Sequence, residues 1–212
     1  MTTRETKSEE LANSISHGFG VLFSIGALMV MLFRATPHSI WHIAGVGIFG
    51  VCLILLYLSS TIYHTVTSDV WKPVWQIIDH CFIFVLIAGS YMPWVLVNLR
   101  GPWGWTLLGV VWGLAILGII LKAFFMPRFK ILGVAIYILM GWLICIAAGP
   151  LLQNVSLPGL IWLTAGGLSY TGGVIFFLQK NMKYSHAIWH GFVLLGSFCH
   201  VVAVLVAVIP HS

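Results

Sequence analysis

Seven runs of about 20 apolar residues follow one another with only short breaks, and this leaves the chain few ways to fold. With 60% hydrophobic and 7% charged residues over 212 positions, the apolar surface exceeds what one soluble core of this size can bury. Lipid is the solvent such a composition requires. Lipid offers no hydrogen bonds to an open backbone, so runs of this length have to be helices. The expected fold is an all-α integral membrane protein with seven transmembrane helices, over about residues 17–34, 40–64, 76–98, 104–122, 130–148, 158–178 and 185–209. A short polar segment, 1–16, precedes a single seven-helix transmembrane domain, 17–212. The first run has no convincing small-residue cleavage site, so it reads as a retained helix. The breaks are physical: Arg34 with Pro37, Lys72-Pro73, Arg100-Gly101-Pro102, Pro127-Arg128, Gly149-Pro150 and Gln179-Lys180-Asn181. Pro93 falls inside the third run and is expected to kink it.

Charge gives the orientation. Eight of the ten basic residues (Arg4, Lys7, Lys72, Lys122, Arg128, Lys130, Lys180 and Lys183) fall on one side of these spans, and only Arg34 and Arg100 on the other. The positive-inside bias makes the rich side cytoplasmic, placing the N-terminus inside and the C-terminus outside. The short loops suit a multi-pass protein of a bacterial cytoplasmic membrane. No basic stripe interleaved with aromatics appears, which argues against nucleic acid as a partner. Cys52, Cys81, Cys145 and Cys199 all lie within apolar runs, where they act as small hydrophobes.

The residues with chemical potential gather at the cytoplasmic ends of their spans: Ser60, His64, Asp79, His186 and His190. His186 and His190 are four apart, which stacks them on one helix face about 6 Å apart in rise. Two imidazoles so placed can ligate one metal, and His64 can supply a third nitrogen, leaving a position open for water. Zinc lowers the pKa of such a water to about 7. Asp79 could orient or deprotonate it, and Ser60 could hydrogen-bond the carboxylate, the water or a substrate carbonyl. The same residues also fit a set of interfacial groups wetted by lipid headgroups. His42 is 22 residues before His64, hence roughly 33 Å away on one helix, and His38 and His211 share its side. His200 is ten residues past His190, roughly 15 Å deeper, and reads as a hydrogen-bonded packing residue. His17 begins the first helix on the inner side and could join the site, though it reads more readily as a capping or interfacial group, and His80 reads as packed or supporting. Asp79 is the one carboxylate inside a span and no polar file continues toward the outer side, which disfavours ion or proton transport.

The pattern Ser60-x-x-x-His64, Asp79-His80 and His186-x-x-x-His190 across seven helices resembles the haemolysin-III family, the bacterial branch of the progestin and adipoQ receptors. That family lies within the membrane metal-dependent hydrolases that include alkaline ceramidases. Glu10-Leu-Ala-Asn13 leading to Ser16-His17-Gly18, Ala88-Gly89-Ser90-Tyr91-Met92-Pro93, Arg128-Phe129-Lys130 and His186-Ala-Ile-Trp-His190-Gly-Phe-Val match as well. The resemblance implies a zinc ion held by His64, His186 and His190, with Asp79 and Ser60 as catalytic residues. It implies a metal-dependent hydrolase acting on a lipid amide or ester, with membrane lipids as partners. The alternative is a non-enzymatic sensor or haemolysin-like factor with a structural zinc. Receptor members carry a long cytoplasmic N-terminal extension, so hormone binding is not expected here. The sequence names neither a substrate, a protein partner nor an oligomeric state.

Overall fold

The computed structural model describes residues 5–125, 130–179 and 181–209; of the positions singled out above, Arg4, Pro127, Arg128, Phe129, Lys180 and His211 lie outside them. Among the described residues every regular element is a helix, and seven helical stretches are long and apolar enough to cross a membrane. Helix α1 spans Lys7–Ala35 and so starts ten residues before the apolar run at 17. A capping box sets this start: Thr6 Oγ1 accepts from the Glu9 backbone N–H at 3.3 Å, and the Glu9 carboxylate accepts from the Thr6 N–H at 2.9 Å. Hydropathy locates the hydrocarbon layer, whereas the cap locates the helix end. The buried face of α1 runs Asn13, His17, Gly20, Ser24, Ala27, Met31 and Ala35, at spacings of three and four.

Small residues let neighbouring helices close. Helix α2 spans Ile40–Thr65, and its Tyr57 ring lies where a Gly20 side chain would be, 2.5 Å from an ideal Cβ. Helix α3 spans Trp71–Pro93 and passes into a π turn at Trp94–Asn98, closed by Leu99 N–H donating to Trp94 O at 2.8 Å. Pro93 has no N–H to donate, and a widened turn just beyond it fits that loss. Helix α4 spans Pro102–Phe125.

The fifth span departs most from expectation. Helix α5, Lys130–Trp142, gives way to a 3-10 turn at Leu143–Ala147, and helix α6 resumes over Ala148–Asn154. The break is thus inside the span, and Gly149-Pro150 does not end it. Pro150 occupies the first turn of α6, where a missing N–H costs nothing. Tyr91 of α3 repairs the interruption: its hydroxyl donates to Met140 O at 2.6 Å and accepts from Ile144 N–H at 3.0 Å. A side chain has replaced the broken backbone bonds, as hydrocarbon surroundings demand.

Helices α7, Leu157–Leu178, and α8, Ser185–Ala207, form a close antiparallel pair. Helix α8 closes against α1, α1 packs on α2, and α2 on α3, while α5 only lightly touches α3, α4 and α7. Outward side chains such as Phe33 (80% exposed) and Ile131 (77%) are large and apolar, a surface only lipid can cover. Lys72 Nζ lies 2.7 Å from Glu10 at the end of the bundle where α1, α3 and α8 begin. At the opposite end Arg100 lies over the Trp41 ring at 4.9 Å. There Asn98 Nδ2 also donates to Asn154 O and Ala207 O, both at 3.0 Å.

Replacing Tyr91 with Phe leaves the Ile144 N–H and Met140 C=O without this partner. The expected cost is about 1–3 kcal/mol, seen as a lowered Tm of the detergent-purified protein. An unchanged Tm would show that the break is stabilised by other means.

Candidate metal centre

Four helix ends converge on one polar cluster. Ser60 and His64 lie one turn apart on α2, Asp79 in the third turn of α3, and His186 and His190 one turn apart at the start of α8. One ring nitrogen from each of His64, His186 and His190 lies within 4.8 Å of the other two. The ring centroids are 4.6 Å apart for His186–His190, 5.0 Å for His64–His186 and 5.1 Å for His64–His190. Ser60, His64, Asp79 and His190 are buried, and His186 is partly exposed.

The partners of the rings fix how the nitrogens face. His64 Nδ1 lies 2.8 Å from the Glu10 carboxylate and His186 Nδ1 lies 3.3 Å from that of Glu5. His190 Nδ1 lies 3.0 Å from Ser16 Oγ and 3.2 Å from Asn13 O, and Ser16 itself donates to Asn13 O at 2.8 Å. Carboxylates and carbonyls only accept, so each Nδ1 carries the proton and the lone pair is on Nε2. His64 Nε2 is buried without a hydrogen-bond partner. Imidazoles tied back through Nδ1, with the other nitrogen uncommitted, are the usual arrangement of histidine metal ligands. This donor set fits a divalent transition metal such as zinc, with three nitrogens and room for a further ligand.

Asp79 and Ser60 line the same cavity as His186 and His190. Ser60 is close to the Asp79 carboxylate, yet its hydroxyl is buried without a hydrogen-bond partner. The structure therefore brings together all five residues singled out from the sequence. It also brings to them residues to which the sequence reading gave no role in the site, Glu5 and Glu10, and one it had only as a lesser alternative, His17. Glu5 and Glu10 belong to the polar segment before residue 17, and the early start of α1 carries them onto the histidines; Glu5 also accepts from Asn13 Nδ2 at 2.7 Å. His17 is neither at a helix end nor interfacial: it is buried in α1, stacked on His190 with ring centroids 3.4 Å apart and planes 11° apart. The Glu10…Asn13…Ser16-His17 run was the signal that could have found this group. His80 Nδ1 donates to Gln76 O, which makes it a packed cavity-wall residue. A polar file does continue inward from His17: the Tyr57 ring meets it edge-on at 4.9 Å, Tyr57 donates to Ser197 at 2.6 Å, and Tyr170 lies 2.8 Å from Ser197.

Comparison with known proteins places this arrangement among relatives. The family model described as "Haemolysin-III related" matches residues 5–201. The chain is 48% identical over 193 residues to "Hemolysin-3 homolog" of Bacillus subtilis (strain 168), covering 91% of each chain. It is 44% identical over 213 residues to "Hemolysin-3" of Bacillus cereus, covering 99% of this chain and 97% of that one. Similarity extends to "Monocyte to macrophage differentiation factor" of Homo sapiens, 29% identical over 213 residues with 95% and 85% covered.

If Glu5 and Glu10 hold the imidazoles in register, Glu5→Gln and Glu10→Gln will each weaken metal affinity about 10–100-fold. Competition between the purified protein and a chromogenic zinc chelator reads this directly. Wild-type affinity in both variants would mean that the carboxylates do not orient the ligands.

Proposed function

Since the chain belongs to the haemolysin-III-related family and is a multi-pass protein of a bacterial cytoplasmic membrane, we propose that it is a zinc-dependent hydrolase of a lipid amide or ester. The observation that supports this most is the histidine triad tied back through Nδ1 beside an unpaired Ser60 hydroxyl and the Asp79 carboxylate. Ser60, Asp79, His186 and His190 open onto a largely apolar cavity of about 130 Å³ within the bundle. An apolar chamber with a few convergent polar groups at one end suits an acyl chain whose carbonyl is presented to those groups.

His64, His186 and His190 would hold the ion. Zinc in such a site supplies Lewis acidity and makes a water nucleophilic near neutral pH. The Asp79 carboxylate would accept a proton from an attacking water and return it to the nitrogen or oxygen that departs as its bond to the carbonyl carbon breaks. Ser60 donates a hydrogen bond to the carbonyl oxygen, where negative charge develops. The apolar wall excludes bulk water and holds the chain so that the carbonyl is near its attacker. Charge distribution orients the molecule: the end carrying Lys7, Lys72 and Lys183 faces the cytoplasm, so substrate enters from the inner leaflet.

A structural role for zinc is the second reading, and one feature favours it. Glu5 contacts histidines from α2 and α8, at 3.9 Å and 3.3 Å, so an ion there would join segments far apart in sequence. Asp79→Asn separates the two. In the hydrolase it lowers turnover by about 10²–10⁴-fold while zinc content, measured by mass spectrometry of the purified protein, is unchanged. His186→Ala with His190→Ala removes both zinc and turnover. Membrane lipid profiles identical among wild type, Asp79→Asn and the double variant, across several growth conditions, would defeat the enzymatic reading and leave the structural one.

A further inference from the structure

Helix α1 contributes no nitrogen to the histidine triad, yet three of its residues hold one triad member. Asn13, Ser16 and His17 are three and four apart and so share one side of the helix. Asn13 O and Ser16 Oγ fix the edge of the His190 ring through Nδ1, at 3.2 and 3.0 Å. His17 covers the face of that ring, with centroids 3.4 Å apart and planes 11° apart. Tyr57 backs the pair: its ring fills the space a Gly20 side chain would take and meets His17 edge-on at 4.9 Å. Both stacked rings are buried, His17 at 3% exposure and His190 at 1%.

Among the described residues, His17 and His200 are the histidines with both ring nitrogens buried and without a hydrogen-bond partner. The hydrogen bond expected of His200 from the sequence is thus absent, and its ring is simply packed where a side chain on Gly166 would be. His17 differs in what it touches. A free imidazole lying on a metal ligand invites the reading of a fourth ligand, and the geometry refuses it. An imidazole lone pair lies in the ring plane. Two nearly parallel planes 3.4 Å apart do not meet near either ring, so one ion cannot lie in both. The imidazole nitrogens that converge within 4.8 Å are accordingly those of His64, His186 and His190.

The ring electrons decide what the arrangement favours. Two like aromatic rings avoid a direct face-to-face sandwich, because both faces are negative. The repulsion reverses when one ring is electron-poor, and coordination of a divalent cation through Nε2 would draw density out of the His190 ring. His17 is uncharged in its place, since neither nitrogen has an acceptor. Its face then serves as the π partner of a cation–π contact, in a buried pair where such contacts are strongest.

We propose that His17 is a positioning residue of the metal centre: its ring face holds the His190 imidazole in plane and favours the ion through it, while its nitrogens take no part. This rests on the metal reading of the triad given above. A stack that is stronger with the ion bound than without it raises the affinity for the ion by the same factor.

The test compares full-length wild type, His17→Phe and His17→Leu in detergent. Zinc affinity is read by competition with a chromogenic chelator, folding by the Tm of the metal-free proteins, and ligand geometry by the visible absorption of their cobalt(II) forms. Phe keeps an electron-rich face and has no nitrogen, whereas Leu fills the space with neither. His17→Phe is expected to bind zinc within about twofold of wild type, and His17→Leu about tenfold more weakly. The cobalt bands should match wild type in His17→Phe and change in His17→Leu, with metal-free Tm values alike. Equal affinity and spectra in all three proteins would reduce His17 to packing and overturn the proposal, leaving the metal reading intact. Equal losses in both variants would make the nitrogens the working part and overturn it as well. Wild type that takes up neither zinc nor cobalt overturns the metal reading and this one with it. Should His17→Leu not fold, His17→Met fills the same space without a π face and takes its place.

Discussion

Hydrocarbon offers no hydrogen bonds, and the arrangement of this molecule follows from that. Each backbone group must find its partner inside the chain. The rule explains features that look unrelated, including the Tyr91 hydroxyl bridging the gap between α5 and α6, and Asn98 reaching two carbonyls at the far end. It also explains why the exceptions carry meaning. Among the described residues, the buried side-chain atoms that are not satisfied are His64 Nε2, the Ser60 hydroxyl, the nitrogens of His17 and His200, and the amide oxygens of Asn13 and Asn98. Asn98 apart, these residues belong to the polar cluster or to the cavity wall that extends from it.

The cluster is an assembly of distant pieces held by carboxylates. Glu5 and Glu10 precede or open the first helix, yet they reach histidines on the second and the last. The His64 side chain is fully buried, so the hydrogen bond from its Nδ1 to the Glu10 carboxylate is made where water does not compete. Lys72 at 2.7 Å from Glu10 adds a cation to the network and balances the charge of that carboxylate. The bundle end is therefore a locked set of salt bridges and hydrogen bonds, while the deeper bundle is held by glycine-to-aromatic fits such as Gly20 with Tyr57 and Gly118 with Phe84.

Hydropathy made the spans legible, and their shared depth made the grouping of Ser60, His64, Asp79, His186 and His190 legible. The remainder was hidden for specific reasons. The start of α1 was set by Thr6 and Glu9, a local hydrogen-bond pattern that a hydropathy window cannot register. The error carried forward: with α1 thought to begin at 17, Glu5, Glu10 and Asn13 had no reason to approach the histidines. Gly149-Pro150 reads as a helix stop, but proline is tolerated in a first turn, and the true interruption at Leu143–Ala147 has no proline at all. The Tyr57–Ser197–Tyr170 file joins three helices, a contact that spacing along one helix cannot reveal.

The division of work between helices has a consequence for how such a protein can diverge. Helices α1, α2, α3 and α8 carry the histidines, Asp79, Ser60 and the carboxylates, and they pack closely on one another. Helix α5 supplies Val134, Tyr137, Ile138 and Gly141 to the cavity wall and rests lightly on its neighbours. Substitutions along α5 can therefore alter the shape of the chamber while the chemistry beside it stays intact. A lineage could change which molecule the chamber accepts by drift in one peripheral helix, while the polar cluster at its end stays as it is.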